Sequence, residues 1–285
     1  MTAVRTLARS CSKRSKLKFV TFLTDKFYDE LLSDTGNDFY FWDHQSKVDP
    51  STVPANFYPI TEMDLPINCD VDAVLCQDYG MQYKVSKKLA DFWHLPIIMI
   101  FHHIKADNQF LINGDINIYD SYEIQESWNH PGAVIIPGID ENFTKIDINM
   151  DSKIYLCDVK SEEEVAVCRD IVSQTPFTIN SLGKDRYTRL EQYRNARGLI
   201  QLKPKQFPIE VLEAYKVGLP IISVGNSNVK GYNHNVYGTT LKMKAAIMSH
   251  DLKNNDGVEV RTSEDFSRDF NKAIEFVNDF VYIRN

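Results

Sequence analysis

The chain has 285 residues, a net charge of −7, 43% hydrophobic residues and 25% charged residues. That length suits two small domains, and the mix is that of an ordinary globular protein. The acidic balance argues against a wholly basic nucleic-acid coat, and the longest apolar run, Leu95–Phe101, falls far short of the roughly 20 residues of a membrane helix.

Residues 1–18 hold Arg5, Arg9, Lys13, Arg14, Lys16 and Lys18 and no acid. A solvated tail, an arm that contacts phosphates of a nucleic acid and an organelle targeting segment all fit this pattern. The apolar core of a secretory signal is missing. The cysteines, Cys11, Cys69, Cys76, Cys157 and Cys168, form no CxxC pair. They read as free thiols in a reducing compartment, the cytoplasm, or the host cytoplasm if the chain is viral.

Leu17–Thr24 reads as a buried strand. Asp25 can cap a helix over Lys26–Ser33, with Gly36 just past its end. Asp38–Trp42 reads as a second strand and Asn56–Ile60 as a short third. Asp72–Cys76, a helix over Tyr83–His94 with Val85, Leu89, Phe92 and Trp93 inward, and the strand Leu95–Phe101 form a βαβ unit. Ile116–Tyr119 and Ala133–Ile136 continue the strand series. A second series follows: strand Lys153–Cys157, helix Glu162–Ser173 with Val165, Val167, Cys168, Ile171 and Val172 inward, strand Phe177–Asn180, helix Arg186–Ala196 and strand Gly198–Leu202. The segment FPIEVLEAYKVGLPII (Phe207–Ile222) supplies a helix, and the strand Leu219–Val224 follows. Ser263–Val281 has the spacing of an amphipathic helix.

Two such runs predict an α/β protein with two facing Rossmann-like domains, parallel sheets and a cleft between them, ligands lying at the carboxyl ends of the strands. The expected division is a basic arm at 1–18, a first domain at 19–137 joined by a C-terminal helix at 263–285, and a second domain at 138–262.

In FPIEVLEAYKVGLPII, Pro208 suits the first helical position, Gly218 the left-handed position past the end, and Pro220 prevents the helix from resuming. A well-capped αβ connection explains all of this by itself. The segment also resembles the donor-site helix of retaining GT-B glycosyltransferases of the family-4 type, whose pattern is close to E-x-F-G-x-x-x-x-E-A-x-A-x-G-x-P-V-I. Phe207, Glu213, Ala214, Gly218, Pro220, Ile221 and Ile222 match. The resemblance implies that Glu213 holds the donor ribose. Lys205 stands where the family has its first Glu, which contacts the donor sugar, and Pro208 and Ile209 stand where it has glycine. A lysine there could meet the pyrophosphate instead. Ala133–Phe143 resembles the interdomain stretch of the same family, with Pro137, Gly138, Ile139, Asp140 and Phe143 matching. Phe177–Asp185 resembles the strand and glycine after the first donor-domain helix. There Gly183 would admit backbone close to the nucleotide and Lys184 would face phosphate.

The resemblance implies transfer of a sugar from a nucleoside-diphosphate sugar, a UDP-sugar as the first choice, to an acceptor hydroxyl, with no metal and no further cofactor. Lys203, Lys205, Lys184 and Lys230 are the candidate cations for the diphosphate, and Lys160 reads first as a solvated lysine. Ser223–Asn226 could offer N–H groups, Ser223 first among them. Asp70–Asp72 spells DVD but immediately precedes a strand and reads as solvation of its start. On the acceptor side, His102 and His103 end the strand LPIIMIF, where the family commonly has a histidine lining the cleft. A hydrogen bond to backbone is the alternative for either. Asp78 reads as an acceptor-site residue or as a cap for the helix after Gly80. The chain is similar in size and style to small phage glycosyltransferases that modify hydroxymethylcytosine in DNA. That similarity makes DNA the first acceptor to consider, with Arg5, Arg9, Lys13 and Arg14 on its phosphates. A small molecule, a glycan or a lipid acceptor is the alternative, as is a non-catalytic module that binds sugar nucleotide or nucleic acid.

Overall fold

Short apolar strands alternate with helices that carry one apolar stripe. Both hide their apolar surface when the strands form a parallel sheet with helices on its two faces. The computed structural model describes residues 16–24, 26–42, 53–60, 71–106, 112–159, 161–183, 186–202, 209–224, 235–249 and 260–277. The chain divides into two compact units, residues 1–136 with 266–285 and residues 137–265.

In the first unit the strands are β1 (Lys18–Thr21), β2 (Asp38–Trp42), β3 (Phe57–Ile60), β4 (Ala73–Cys76), β5 (Ile97–Phe101), β6 (Ile116–Tyr119) and β7 (Ala133–Val134). They form one sheet in the order β3-β2-β1-β4-β5-β6-β7, parallel at every pairing. The winding reverses between β1 and β4, the switch point at which doubly wound sheets bind ligands. Asp72 fixes that junction. Its carboxylate accepts the Lys18 N–H at 2.9 Å and its own N–H donates to the Lys18 carbonyl at 2.8 Å. It is 2% exposed, so the second Asp of DVD serves strand pairing.

One face of this sheet packs Phe19, Phe39, Leu75 and Ile100 against α1 (Lys26–Asp34) and α8 (Ser263–Ala273), whose Phe266 and Phe270 are fully buried. The other packs Val74, Met99, Phe101 and Tyr119 against α2 (Met81–Trp93) and α3 (Tyr122–Trp128). Two expectations change here. Helix α2 turns the small residues Ser86 and Ala90 to the sheet, and Phe92 is 77% exposed. Helix α3 is additional, capped by Ser121, whose Oγ accepts the Ile124 N–H at 3.2 Å.

The second unit has β8 (Ile154–Cys157), β9 (Thr178–Ser181), β10 (Gly198–Gln201), β11 (Ile221–Val224) and β12 (Asn235–Tyr237). They form a parallel sheet in the order β12-β11-β10-β8-β9. Read from the other edge, this is the flavodoxin-like order, with its switch point between β8 and β10. Helices α4 (Glu162–Val172) and α7 (Thr240–Ser249) cover one face through Cys168, Ile171, Met243 and Ile247. Val167, expected inward, is 41% exposed, and β12 and α7 were not expected from the sequence. Helices α5 (Arg186–Asn195) and α6 (Ile209–Val217) pack on β8 and β11 outside that cluster.

Helix α6 ends as its sequence requires. Gly218 is left-handed at φ +86°, its N–H bonds the Tyr215 carbonyl at 3.0 Å, and the Leu219 N–H reaches the Ala214 carbonyl at 2.8 Å. This is the Schellman arrangement, and Pro220 then starts the turn into β11. A Cβ at Gly218 would meet nothing nearer than Lys145 at 3.8 Å, so a side chain there costs only backbone strain. Gly218→Ala should therefore lower stability by about 1–2 kcal/mol, read by urea denaturation.

Candidate functional site

Each sheet gathers polar side chains at its carboxyl edge. In the first unit the centre is His102, one residue past β5. Its Nδ1 lies 2.7 Å from Asp120 Oδ2, at the end of β6. A carboxylate only accepts, so this contact puts the proton on Nδ1 and leaves Nε2 on the side of Gln77. Asp120 is 2% exposed, and its other oxygen accepts the Tyr28 hydroxyl of α1 at 2.9 Å. Burial first, and then Asp120, push the Tyr28 phenol well above its ordinary value, so it stays a donor. The Tyr28 ring stands edge-on to the imidazole at 4.3 Å between centroids. Gln77, past β4, brings its Oε1 to 3.2 Å from His102 Nε2, and its own Nε2 is buried without a hydrogen-bond partner among the described residues. Rotating that amide would present its NH₂ to a neutral imidazole, whereas the orientation as it stands suits an imidazolium.

The loop after β5 is tightly held. The Tyr79 hydroxyl accepts the N–H groups of His102 at 2.6 Å and His103 at 3.3 Å, and the Trp128 indole donates to the His103 carbonyl at 2.8 Å. Of the two histidines, His102 is built into the polar cluster, while His103 is exposed and has its main chain fixed. Asp78 folds back in the connection from β4 to α2, its carboxylate accepting the N–H of Gly80 just before the helix at 3.1 Å. Its oxygen thus serves the turn into the helix.

In the second unit Glu213 lies in the middle of α6 and is 2% exposed. Arg189 of α5 grips it with Nε on Oε2 and NH2 on Oε1, both at 2.6 Å, and the Tyr193 hydroxyl stands 3.0 Å from Oε2. Burial pushes the Glu213 carboxyl up, while the Arg189 fork and the Tyr193 hydroxyl pull the other way. The bidentate geometry keeps the pair ionised. Both oxygens of the expected ribose ligand are thus engaged internally. Gly183 lies past β9, and its close neighbour is helix α5: a Cβ there would come within 2.5 Å of Thr188. Its N–H bonds the Gln192 side chain at 2.7 Å. Ser223 is in β11, paired with Gln201 of β10, and is 1% exposed. Phe143 packs edge-on against Tyr193 at 6.3 Å, and Asp140 pairs with Arg186.

Lys203, Lys205, Phe207, Lys184, Lys160 and Lys230 lie outside the described residues, as do Arg5, Arg9, Lys13 and Arg14. Among the described residues no cluster of His, Cys, Asp or Glu could hold a metal ion, and no helix is long and apolar enough to cross a membrane. Sequence reasoning missed Asp120, Tyr28, Gln77, Arg189 and Tyr193. Asp120 had a signal, an acid directly after a buried strand. Tyr28 and Arg189 lie in the first turns of α1 and α5 and had none.

No protein-family profile matches the chain, and no curated protein matches its sequence. Solved structures match it almost end to end. The UDP-N-acetylglucosamine 2-epimerase from Rickettsia bellii superposes with a TM-score of 0.55 at 10% identity, over 93% of this chain and 97% of that one. WaaG, a glycosyltransferase involved in lipopolysaccharide biosynthesis, gives 0.53 at 10% identity over 92% and 95%. The UDP-GlcNAc 2-epimerase from Methanocaldococcus jannaschii gives 0.53 at 11% identity over 92% and 99%. The fold is the α/β architecture of the GT-B glycosyltransferases, and identities this low speak to fold alone.

Proposed function

We propose that the protein is a sugar-nucleotide enzyme, and specifically a glycosyltransferase that moves a sugar from a UDP-sugar to an acceptor hydroxyl. The observation that carries the reading is the His102–Asp120 pair, at the carboxyl edge of a sheet whose fold is shared with sugar-nucleotide enzymes. In this reading His102 Nε2 takes the proton of the acceptor hydroxyl as that oxygen attacks the anomeric carbon. The bond from that carbon to the diphosphate breaks, and the nucleoside diphosphate leaves with the electron pair. Asp120 holds the ring and stabilises the imidazolium that forms, and Tyr28 holds Asp120. The second unit binds the donor at the carboxyl edge of its sheet.

The finer acceptor reading, hydroxymethylcytosine in DNA, rests on similarity in size and style to small phage glycosyltransferases, helped by the basic residues of segment 1–18. A second reading, epimerisation of the donor sugar without an acceptor, is favoured by the likeness to the two epimerases.

One experiment separates these. The purified protein is incubated with UDP-glucose or UDP-N-acetylglucosamine, with and without hydroxymethylated DNA, simple glycosides and a lipid extract, and all products are read by mass spectrometry and NMR. Transfer predicts UDP release together with a hexosyl mass gain on one acceptor. Epimerisation predicts a new sugar isomer with no acceptor present. Unchanged donor in every mixture sinks both.

A further inference from the structure

The nitrogen on which the proposed transfer depends, His102 Nε2, faces an amide. Gln77 Oε1 lies 3.2 Å from it. The two residues follow neighbouring strands, Gln77 after β4 and His102 after β5. Gln77 is 5% exposed, and its Nε2 has no hydrogen-bond partner among the described residues. Two other side-chain amides are pinned at both ends. Gln192 accepts the Gly183 N–H at 2.7 Å and donates to the Ser181 carbonyl at 3.1 Å. Asn117 accepts the Gly114 N–H at 2.9 Å and donates to Asn113 Oδ1 at 2.7 Å and to the Pro131 carbonyl at 3.1 Å. Turning either of these over breaks bonds at both ends. Turning Gln77 over gives up no such bond at its inner end, so its amide is a rotor whose engaged end meets the imidazole.

That freedom matches what the ring needs. With its proton on Nδ1 toward Asp120, the neutral imidazole offers one lone pair at Nε2. A carbonyl oxygen set against that lone pair is a poor partner, and an amide NH₂ is a good one. Once Nε2 has taken a proton it can only donate, and Oε1 becomes the good partner. A carboxylate in place of the amide would favour the imidazolium alone, and an aliphatic side chain would bond neither form. The titratable groups around the ring have other tasks. Asp120 from the end of β6 holds Nδ1, and Tyr28 from α1 donates to Asp120. The Tyr79 hydroxyl accepts the His102 N–H, and the His103 ring stands 6.4 Å away.

We infer that Gln77 is a positioning residue whose amide turns over as His102 gains and loses its proton, donating to the neutral ring and accepting from the imidazolium. Its part in transfer rests on the proposed function. There the acceptor hydroxyl first displaces the amide N–H from the lone pair of Nε2. The hydroxyl proton then passes to Nε2 as the oxygen bonds the anomeric carbon, and Oε1 turns in to receive the new N–H. Asp120 and Gln77 now hold the imidazolium from both sides, which stabilises the charge that forms in the step.

The test follows the imidazole itself. The full chain, carrying nitrogen-15 histidine, and its Gln77→Glu and Gln77→Leu variants are titrated between about pH 5 and pH 9. The ring nitrogen shifts are read by NMR, with His102→Ala giving the assignment. In Gln77→Glu the ring should keep both protons to a pH about one unit higher, because a carboxylate accepts from the charged form only. In Gln77→Leu it should lose the second proton about half a unit lower, because the imidazolium has lost an acceptor. Transfer at neutral pH should fall about 10-fold in kcat for Gln77→Leu and further for Gln77→Glu. Rings that titrate alike in all three proteins overturn the inference, as does a Gln77→Leu ring that titrates above the unaltered one. If Gln77→Glu does not fold, the direction of the Gln77→Leu shift decides alone. The titration needs no turnover, so the two failures are distinguishable. Shifted titrations in a protein that transfers no sugar uphold the turning amide and sink the proposed function.

Discussion

His102→Ala is expected to lower kcat for sugar transfer by about 10²–10⁴-fold while leaving the donor KM within a few-fold. The split follows from the assigned role: the imidazole meets the acceptor hydroxyl, and the donor is held by the other unit. Asp120→Asn should show a loss of the same order. The amide can still fill the space between His102 and Tyr28, but it no longer carries the charge that stabilises the imidazolium. Tyr28→Phe removes one hydrogen bond to Asp120 Oδ1 and should cost far less. His103→Ala should stay within a few-fold of the unaltered protein, because its side chain is exposed and lies outside the His102–Asp120 pair. Steady-state kinetics on the four variants checks the pattern. Full activity in His102→Ala would remove the dyad from the mechanism.

The largest stability effect is expected at Arg189 and Glu213. Either single replacement by Ala leaves a buried charge without its partner and should destabilise the fold by about 3–5 kcal/mol. The double replacement Arg189→Met with Glu213→Leu removes both charges and keeps the volume, and should recover most of that loss. Urea denaturation of the three variants checks the loss and its recovery. The recovered double variant also decides what Glu213 does for a ligand. If UDP still raises its melting temperature as in the unaltered protein, the carboxylate is a counter-ion inside the unit. If the response to UDP disappears from a stable protein, Glu213 holds the ribose as the family resemblance implies.

Much of the fold was legible in the sequence because period and punctuation were strong where burial was complete. β2 and β6 were placed to the residue, and the end of α6 was readable because Gly218 suits a left-handed stop and Pro220 keeps the helix from resuming. Helix α3 was missed because it is short, and Tyr122, its first residue, is 62% exposed. Phe92 was misassigned for a related reason. An apolar residue at helical spacing reads as inward, but the sheet takes the small face of α2.

The candidate site was less legible, since its partners come from residues far apart in the chain. His102 drew notice as the residue ending a buried strand. Nothing local marks Tyr28 as the group that reaches Asp120 across 92 positions. Glu213 was noticed for its place in a motif, while the Arg189 fork that engages it is set by how α5 packs beside α6.

The account stands most directly on whether the protein binds a sugar nucleotide at all. Isothermal titration of the full chain with UDP-glucose, UDP-N-acetylglucosamine and UDP measures this. The expected result is one saturable site, with at least one UDP-sugar bound more tightly than UDP. If none of the three gives a heat of binding or raises the melting temperature at millimolar concentration, the fold is shared without the activity and the account is wrong.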